Sequence, residues 1–170
     1  MESIDRKLKR LHVEGISEAL EKAHRYRLLN EPLEAESICL DVLEVDPQNQ
    51  RALITLILAL TDHFNRRLHP SYQRAMQYLG KLSDEYSRCY YEGLIYERRG
   101  KVSLHRGQPS SGHMAYGWFE KALKCFEVAS ELSPEDNPDA DLRWNTILRI
   151  LERYPEIRPA PVDSSEPYLE

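Results

Sequence analysis

Apolar positions recur along this chain at helical spacing, in paired blocks separated by short polar turns. The clearest block runs from Ile16 to Pro47. Its first half places Ala19, Leu20, Ala23 and Tyr26 on one stripe, and Leu29 continues that stripe. A turn follows at Asn30-Glu31-Pro32, where the proline suits the first turn of a new helix. The second half turns Ala35, Ile38, Cys39, Val42 and Leu43 inward and stops at Asp46-Pro47. Small residues at Ala23 and Ala35 allow two antiparallel helices to approach closely. The pattern then returns: Ala35, Cys39, Val42 and Pro47 reappear as Ala122, Phe126, Ala129 and Pro134, each 87 positions on. A repeated helix-turn-helix unit predicts an all-α array in which each pair packs on its neighbours.

The remaining stretches fill in that array. Ile4, Leu8 and Leu11 share a helical face, so residues 1–15 read as a leading helix with Ser3 as cap and Gly15 as end. Three repeats are expected, at 16–48, 49–84 and 85–134. The second opens with an unusually apolar helix, RALITLILALTDHF, buried on two sides as a central element should be. Ala75, Tyr78, Leu79 and Leu82 form the inner face of its partner. The third opens with Gly93, Tyr96 and Gly100 and carries the densest Gly, Pro and Ser of the chain, which predicts an inserted loop over 101–116. Residues 135–154 read as a capping helix with Leu142, Ile147, Leu148 and Leu151 on one side and arginines on the other. Residues 155–170 are Pro-rich and acidic, a disordered tail by composition.

Composition narrows the function classes. The 170 residues suit one domain, and 41% hydrophobic with 30% charged content is ordinary for a helical protein. A net charge of −5 argues against a general nucleic-acid binder. Cys39, Cys89 and Cys125 are odd in number and widely spaced, as in a reducing compartment. No apolar run is long enough to span a bilayer and no export segment opens the chain, so the expectation is a cytoplasmic protein without membrane attachment.

The residues at the repeat positions resemble the tetratricopeptide repeat family, with its 34-residue helix-turn-helix unit. The first repeat supplies Ala23, Tyr26, Ala35, Cys39, Val42 and Pro47; the third supplies Gly93, Tyr96, Gly100, Ala122, Phe126, Ala129 and Pro134. The second is degenerate, with Ile57 in the small position, 34 residues after Ala23, and no closing proline. The resemblance covers residues 16–134 and implies a right-handed superhelix of about three pairs with a C-terminal capping helix. It further implies that a peptide or protein segment binds in the concave groove lined by the first helix of each pair. Carried over by position, the groove residues are Leu20, His24 and Arg27, then Arg51, Ile54, Leu58 and Thr61, then Tyr90, Tyr91, Leu94, Glu97 and Arg98. Glu21, Thr55 and Tyr91 stand where a carboxylate-gripping subclass favours asparagine or a basic side chain, which argues against such a clamp. A groove of Leu, Ile and Tyr flanked by Arg suits a segment with apolar anchors and some acidic residues.

Each candidate has a plainer reading beside it. Tyrosines placed like Tyr90 and Tyr91 more often pack between repeats than anchor a ligand, and a basic run such as 65–69 is usually a solvated turn. Arg98-Arg99 has a sufficient cause in a helix C-terminal dipole. The inserted loop offers His105, Arg106, His113 and Trp118 as contact residues, against a bare linker whose end starts the next helix. No histidine pair, cysteine pair, nucleophile elbow or phosphate-cradling loop is present, so neither an enzyme nor a metal or cofactor site is expected. Two functions stay open: an adaptor that holds a partner segment in its groove, and a structural subunit of a homo-oligomer or larger assembly that makes contact through the repeat ends and the loop.

Overall fold

The computed structural model describes residues 6–64, 71–105 and 107–161. Among them there are only helices: α1 (Ile16–Leu28), α2 (Pro32–Val45), α3 (Gln50–Asp62), α4 (Ser71–Leu79), α5 (Glu85–His105), α6 (Ser111–Leu132) and α7 (Asp139–Arg153), preceded by a single 3-10 turn at Val13–Gly15. Local chemistry sets the ends. Asn30 takes a left-handed φ of 61°, and the Glu31 and Asn30 amides donate back to the Tyr26 and Arg27 carbonyls at 2.9 and 3.0 Å, so α1 closes in a Schellman turn. Pro32 then starts α2. The Asn49 side chain accepts from the Ala52 amide at 3.0 Å and caps α3; Asp84 does the same for α5 through the Ser87 amide at 2.8 Å.

Each helix packs against the next in sequence, and α3 also touches both α1 and α5. The longest pair, α5 with α6, is antiparallel: Gly93 faces Phe126 while Gly100 faces Phe119, so seven residues along one helix are seven back along the other. Ion pairs show that α1 and α3 run the same way, since Glu21 reaches Arg51 and Arg27 reaches Asp62. The core has two main parts. One joins α1 to α4 and one side of α5 and includes Ala23, Ala35, Cys39, Leu53, Ile57, Leu60, Ala75 and Ile95. The other joins α5 to α7 and includes Leu94, Phe119, Ala122, Phe126 and Ile147. A third, smaller cluster of Leu20, Val42 and Ala52 receives Leu11 and Ile16.

Three expectations are corrected. Residues 6–12 carry no regular structure, so the leading helix is absent over its described part. The reason is energetic: among the described residues of that face, Leu8 is 96% exposed between Arg6, Lys7, Lys9 and Arg10 while Leu11 enters a core. The loop over 101–116 shrinks to the short connection between α5 and α6, because both helices run into it. Its glycines mislead. Gly100 gives way to the Phe119 ring, and a Cβ on Gly112 would overlap the Glu156 carbonyl oxygen; only Gly107, at φ +62°, serves the turn. The tail, finally, is ordered as far as it is described: Ile157 is buried in the second core, and its amide donates to the Tyr154 carbonyl at 2.9 Å. The basic run 65–69, Arg106 and residues 162–170 lie outside the described residues.

Candidate functional site

The odd-numbered helices share a face that is crossed by charged side chains. On α1, Leu20 and Ala23 face inward, and one turn beyond Ala23 comes Arg27. Its Nε donates to Asp62 Oδ2 at 2.9 Å and its Nη2 to Asp62 Oδ1 at 3.5 Å, a two-pronged contact across α1 and α3. Asp62 Oδ1 also accepts from Arg98 of α5. Arg98 donates in turn to Thr61 Oγ1 and, at 3.4 Å, to the Leu58 carbonyl, which already accepts from the Thr61 hydroxyl at 2.7 Å. One carboxylate at the end of α3 therefore holds two guanidinium groups, one from each neighbouring helix.

The row continues toward α7. Glu97, next to Arg98, is fully buried; its Oε1 accepts from Lys101 one turn on and from Arg143 of α7 at 3.5 Å. Its Oε2 finds no hydrogen-bond donor among the described residues. At the other end of the row, Arg51 pairs with Glu21 at 2.9 Å in open solvent. Burial holds the Arg98 guanidinium below its ordinary range; Asp62 opposes that shift, and Arg27 and Arg143 add to it. For Arg143 burial also works downward, but hydrogen bonds to Tyr90 and Glu97 outweigh it and raise the group.

The sequence-derived groove residues divide along this geometry. Arg27, Thr61 and Arg98 come together in one network around Asp62, Glu97 holds a second with Lys101 and Arg143, and Arg51 and exposed His24 lie toward the α1 end of the row. Leu20 and Leu94 are core, at 3% and 2% exposure, and present nothing to a ligand. Ile54 and Leu58 are half-buried, Ile54 against the first core and Leu58 against the second. Tyr90 stacks on Tyr86, meets Tyr91 edge-on and tilts against Phe126, so both tyrosines pack between helices while remaining partly open. Sequence reasoning missed Asp62, Lys101 and Arg143. A signal existed for the first: Asp62 lies 35 residues after Arg27 and 36 before Arg98, close to the repeat period, which places all three at one height.

Arg99 faces elsewhere. Its guanidinium sits 5.2 Å from the rings of Tyr72 and Trp118 and 5.8 Å from Phe64, and Lys121 lies 4.8 Å over the outer side of the same cluster at Trp118. Trp118 is thus a helical packing residue stacked on Tyr96, not a loop contact. Since α5 continues to His105, Arg98 and Arg99 stand well inside the helix, and side-chain partners rather than the helix terminus account for them. His105 bonds the Lys101 carbonyl through Nδ1 at 2.6 Å, and His113 bonds the Arg158 carbonyl at 2.8 Å, which places both in structural roles. A cleft of about 260 Å³ lies beside His113, between Leu104, Pro109 and Glu156. Among the described residues no three metal-ligating side chains converge, and no helix is long and apolar enough to cross a membrane. No family model, curated protein or solved structure matches the chain.

Proposed function

We propose that the chain is a scaffold without catalytic chemistry, a tetratricopeptide-like array that holds an acidic segment of a partner protein across the face of α1, α3, α5 and α7. The charge balance of that face carries the reading. Arg27, Arg98, Lys101 and Arg143 stand there against Asp62 and Glu97, an excess of two positive charges on a chain whose net charge is −5. Exposure sharpens it. The side chains of Arg98, Lys101 and Arg143 are 26%, 37% and 38% open, while Asp62 is 22% open and Glu97 fully closed. An approaching segment therefore meets Lys101 and Arg143 ahead of the closed Glu97, with Arg98 slightly more open than Asp62 and Arg27, at 13%, less so. Half-buried Leu58, Tyr90 and Tyr91 border the cations and supply apolar contact, in keeping with interfaces anchored by aromatics and arginine.

Fluorescence anisotropy with labelled peptides tests this. Fifteen-residue peptides carrying Asp and Glu around Leu anchors are titrated beside copies in which Asn and Gln replace the acids. The acidic series is expected to bind at least about tenfold more tightly, with the difference shrinking as salt rises. Lys101→Gln and Arg143→Gln, each leaving Glu97 one cation, are expected to weaken binding by a similar factor while helix content holds. Equal retention of the acidic and neutral series would sink the proposal.

A further inference from the structure

A different surface carries a second interaction. Segment 6–10 reads Arg-Lys-Leu-Lys-Arg, a concentration of positive charge on an acidic chain, and each of its residues is exposed. Leu8 at its centre is 96% open, so it is packed against none of the described residues. The segment is nevertheless fixed at its root, where Leu11 packs on the cluster of Leu20, Val42 and Ala52.

The opposite chemistry lies on the outer side of α2. Ala35, Cys39 and Val42 face the core, and away from them Leu33, Ser37, Leu40 and Glu44 follow one another at i, i+4, i+7 and i+11. Leu33 and Leu40 are 48% and 38% exposed. Glu34 and Asp41 flank the stripe, and α2 contains no basic residue at all. One helix thus shows leucines among carboxylates, and one segment without regular structure shows a leucine among cations.

We propose that the two surfaces meet in trans: segment 6–10 of one copy lies along α2 of a second copy, with Leu8 between Leu33 and Leu40, Arg6, Lys9 and Arg10 toward Glu34, Asp41 and Glu44, and the exchange reciprocated to close a symmetric dimer. The occupant follows from charge, since the complement of the α2 stripe is written in the same chain. Geometry favours the second copy over the first. Leu11 roots the segment on the core-facing side of α2, with Val42, whereas the leucine stripe is on the far side of that helix. This inference does not depend on the acidic-segment reading of the other face, and it uses none of that face's residues.

Light scattering and sedimentation at rising protein concentration, in low and high salt, give the test. The wild type is expected to double in mass as concentration rises in low salt and to return to the monomer mass in high salt. Arg6→Glu/Lys9→Glu/Arg10→Glu and, separately, Asp41→Lys/Glu44→Lys are each expected to remain monomeric. The second pair lies in the C-terminal half of α2, where added cations suit the helix dipole, and circular dichroism checks both folds. Mixing the two variants makes each surface complementary again across chains and is expected to restore the doubled mass. A wild type that stays monomeric throughout, a dimer that survives either reversal, or a mixture that fails to associate overturns the proposal.

Discussion

Gly93 of α5 lies directly against Phe126 of α6: a Cβ built on the glycine would come 2.7 Å from the ring, and 3.1 Å from the Cys125 Cβ. The ring cannot swing away, because Phe126 is fully buried. Gly93→Ala gains roughly 1 kcal/mol of helix propensity and meets an overpacking cost of about 1–3 kcal/mol, so a net loss of stability is expected. Gly93→Ala/Phe126→Leu removes the obstruction, and there the same alanine should stabilise. Urea denaturation of the four members of this cycle measures the sign change; additive effects would show that the close approach is harmless.

Asp62 neutralises two guanidinium groups at once, so its loss should cost more than the loss of either arginine. Asp62→Asn is expected to destabilise by roughly 1–3 kcal/mol, discounted for the partial exposure of the group, because Arg27 and Arg98 are left facing each other. Arg27→Met should cost less, since Asp62 keeps Arg98. Midpoints of denaturant unfolding rank the two variants, and the reverse ranking would contradict the shared-carboxylate geometry.

The buried Cys39 and half-buried Cys125 thiols predict a loss of stability in alkali. Burial pushes the Cys39 thiol up to about 12, and Cys125 likewise, from an ordinary value of 9.0. A group held neutral in the folded state stabilises it fully below pH 9; above that the unfolded chain ionises first and is favoured. The melting temperature should therefore fall between pH 9 and about 12, beyond any fall below pH 9, and Cys39→Ala should flatten the slope at the cost of some packing. Cys39 should also resist alkylation at neutral pH until the chain is unfolded.

Gly112 permits a backbone contact that no other residue can make, because the Glu156 carbonyl occupies the space of a side chain. Gly112→Ala is expected to lift residues 154–158 away from α6, breaking the His113 bond to the Arg158 carbonyl and withdrawing Ile157 from the second core. Hydrogen exchange at the Ile157 amide reports this directly. Faster exchange there, with the α2 and α3 amides unchanged, is the expected pattern.

Much of the helical layout is legible in the sequence because a periodic stripe is a direct record of burial: Ala23, Ala35, Cys39 and Val42 are spaced for one buried side and are fully buried. Spacing failed where a residue's purpose depended on a distant neighbour. Gly100 and Gly112 resemble loop glycines in sequence, and only the approach of Phe119 and of Glu156 shows them to be contact glycines. The leading segment failed for the opposite reason. Ile4, Leu8 and Leu11 have helical spacing, yet a short helix needs a surface to bury against, and Leu8 has none among the described residues. The candidate site was half visible: repeat position singled out Arg27 and Arg98, but the carboxylate joining them could not be chosen from the many acids of the chain without knowing which helices lie side by side.

The adjacent residues Leu94 and Ile95 belong to different cores, Leu94 to the one with Phe119 and Phe126 and Ile95 to the one with Leu53 and Ile57. Helix α5 is therefore a common axle between two masses of side chains, which Leu58 of α3 and the Tyr72–Trp118 contact also join, and any rotation that frees one residue unseats the other. Although the molecule is assembled in sequential layers, its halves are bound to one fate. Heating should give a single calorimetric transition, and damage near Trp144 should be felt at Ala35.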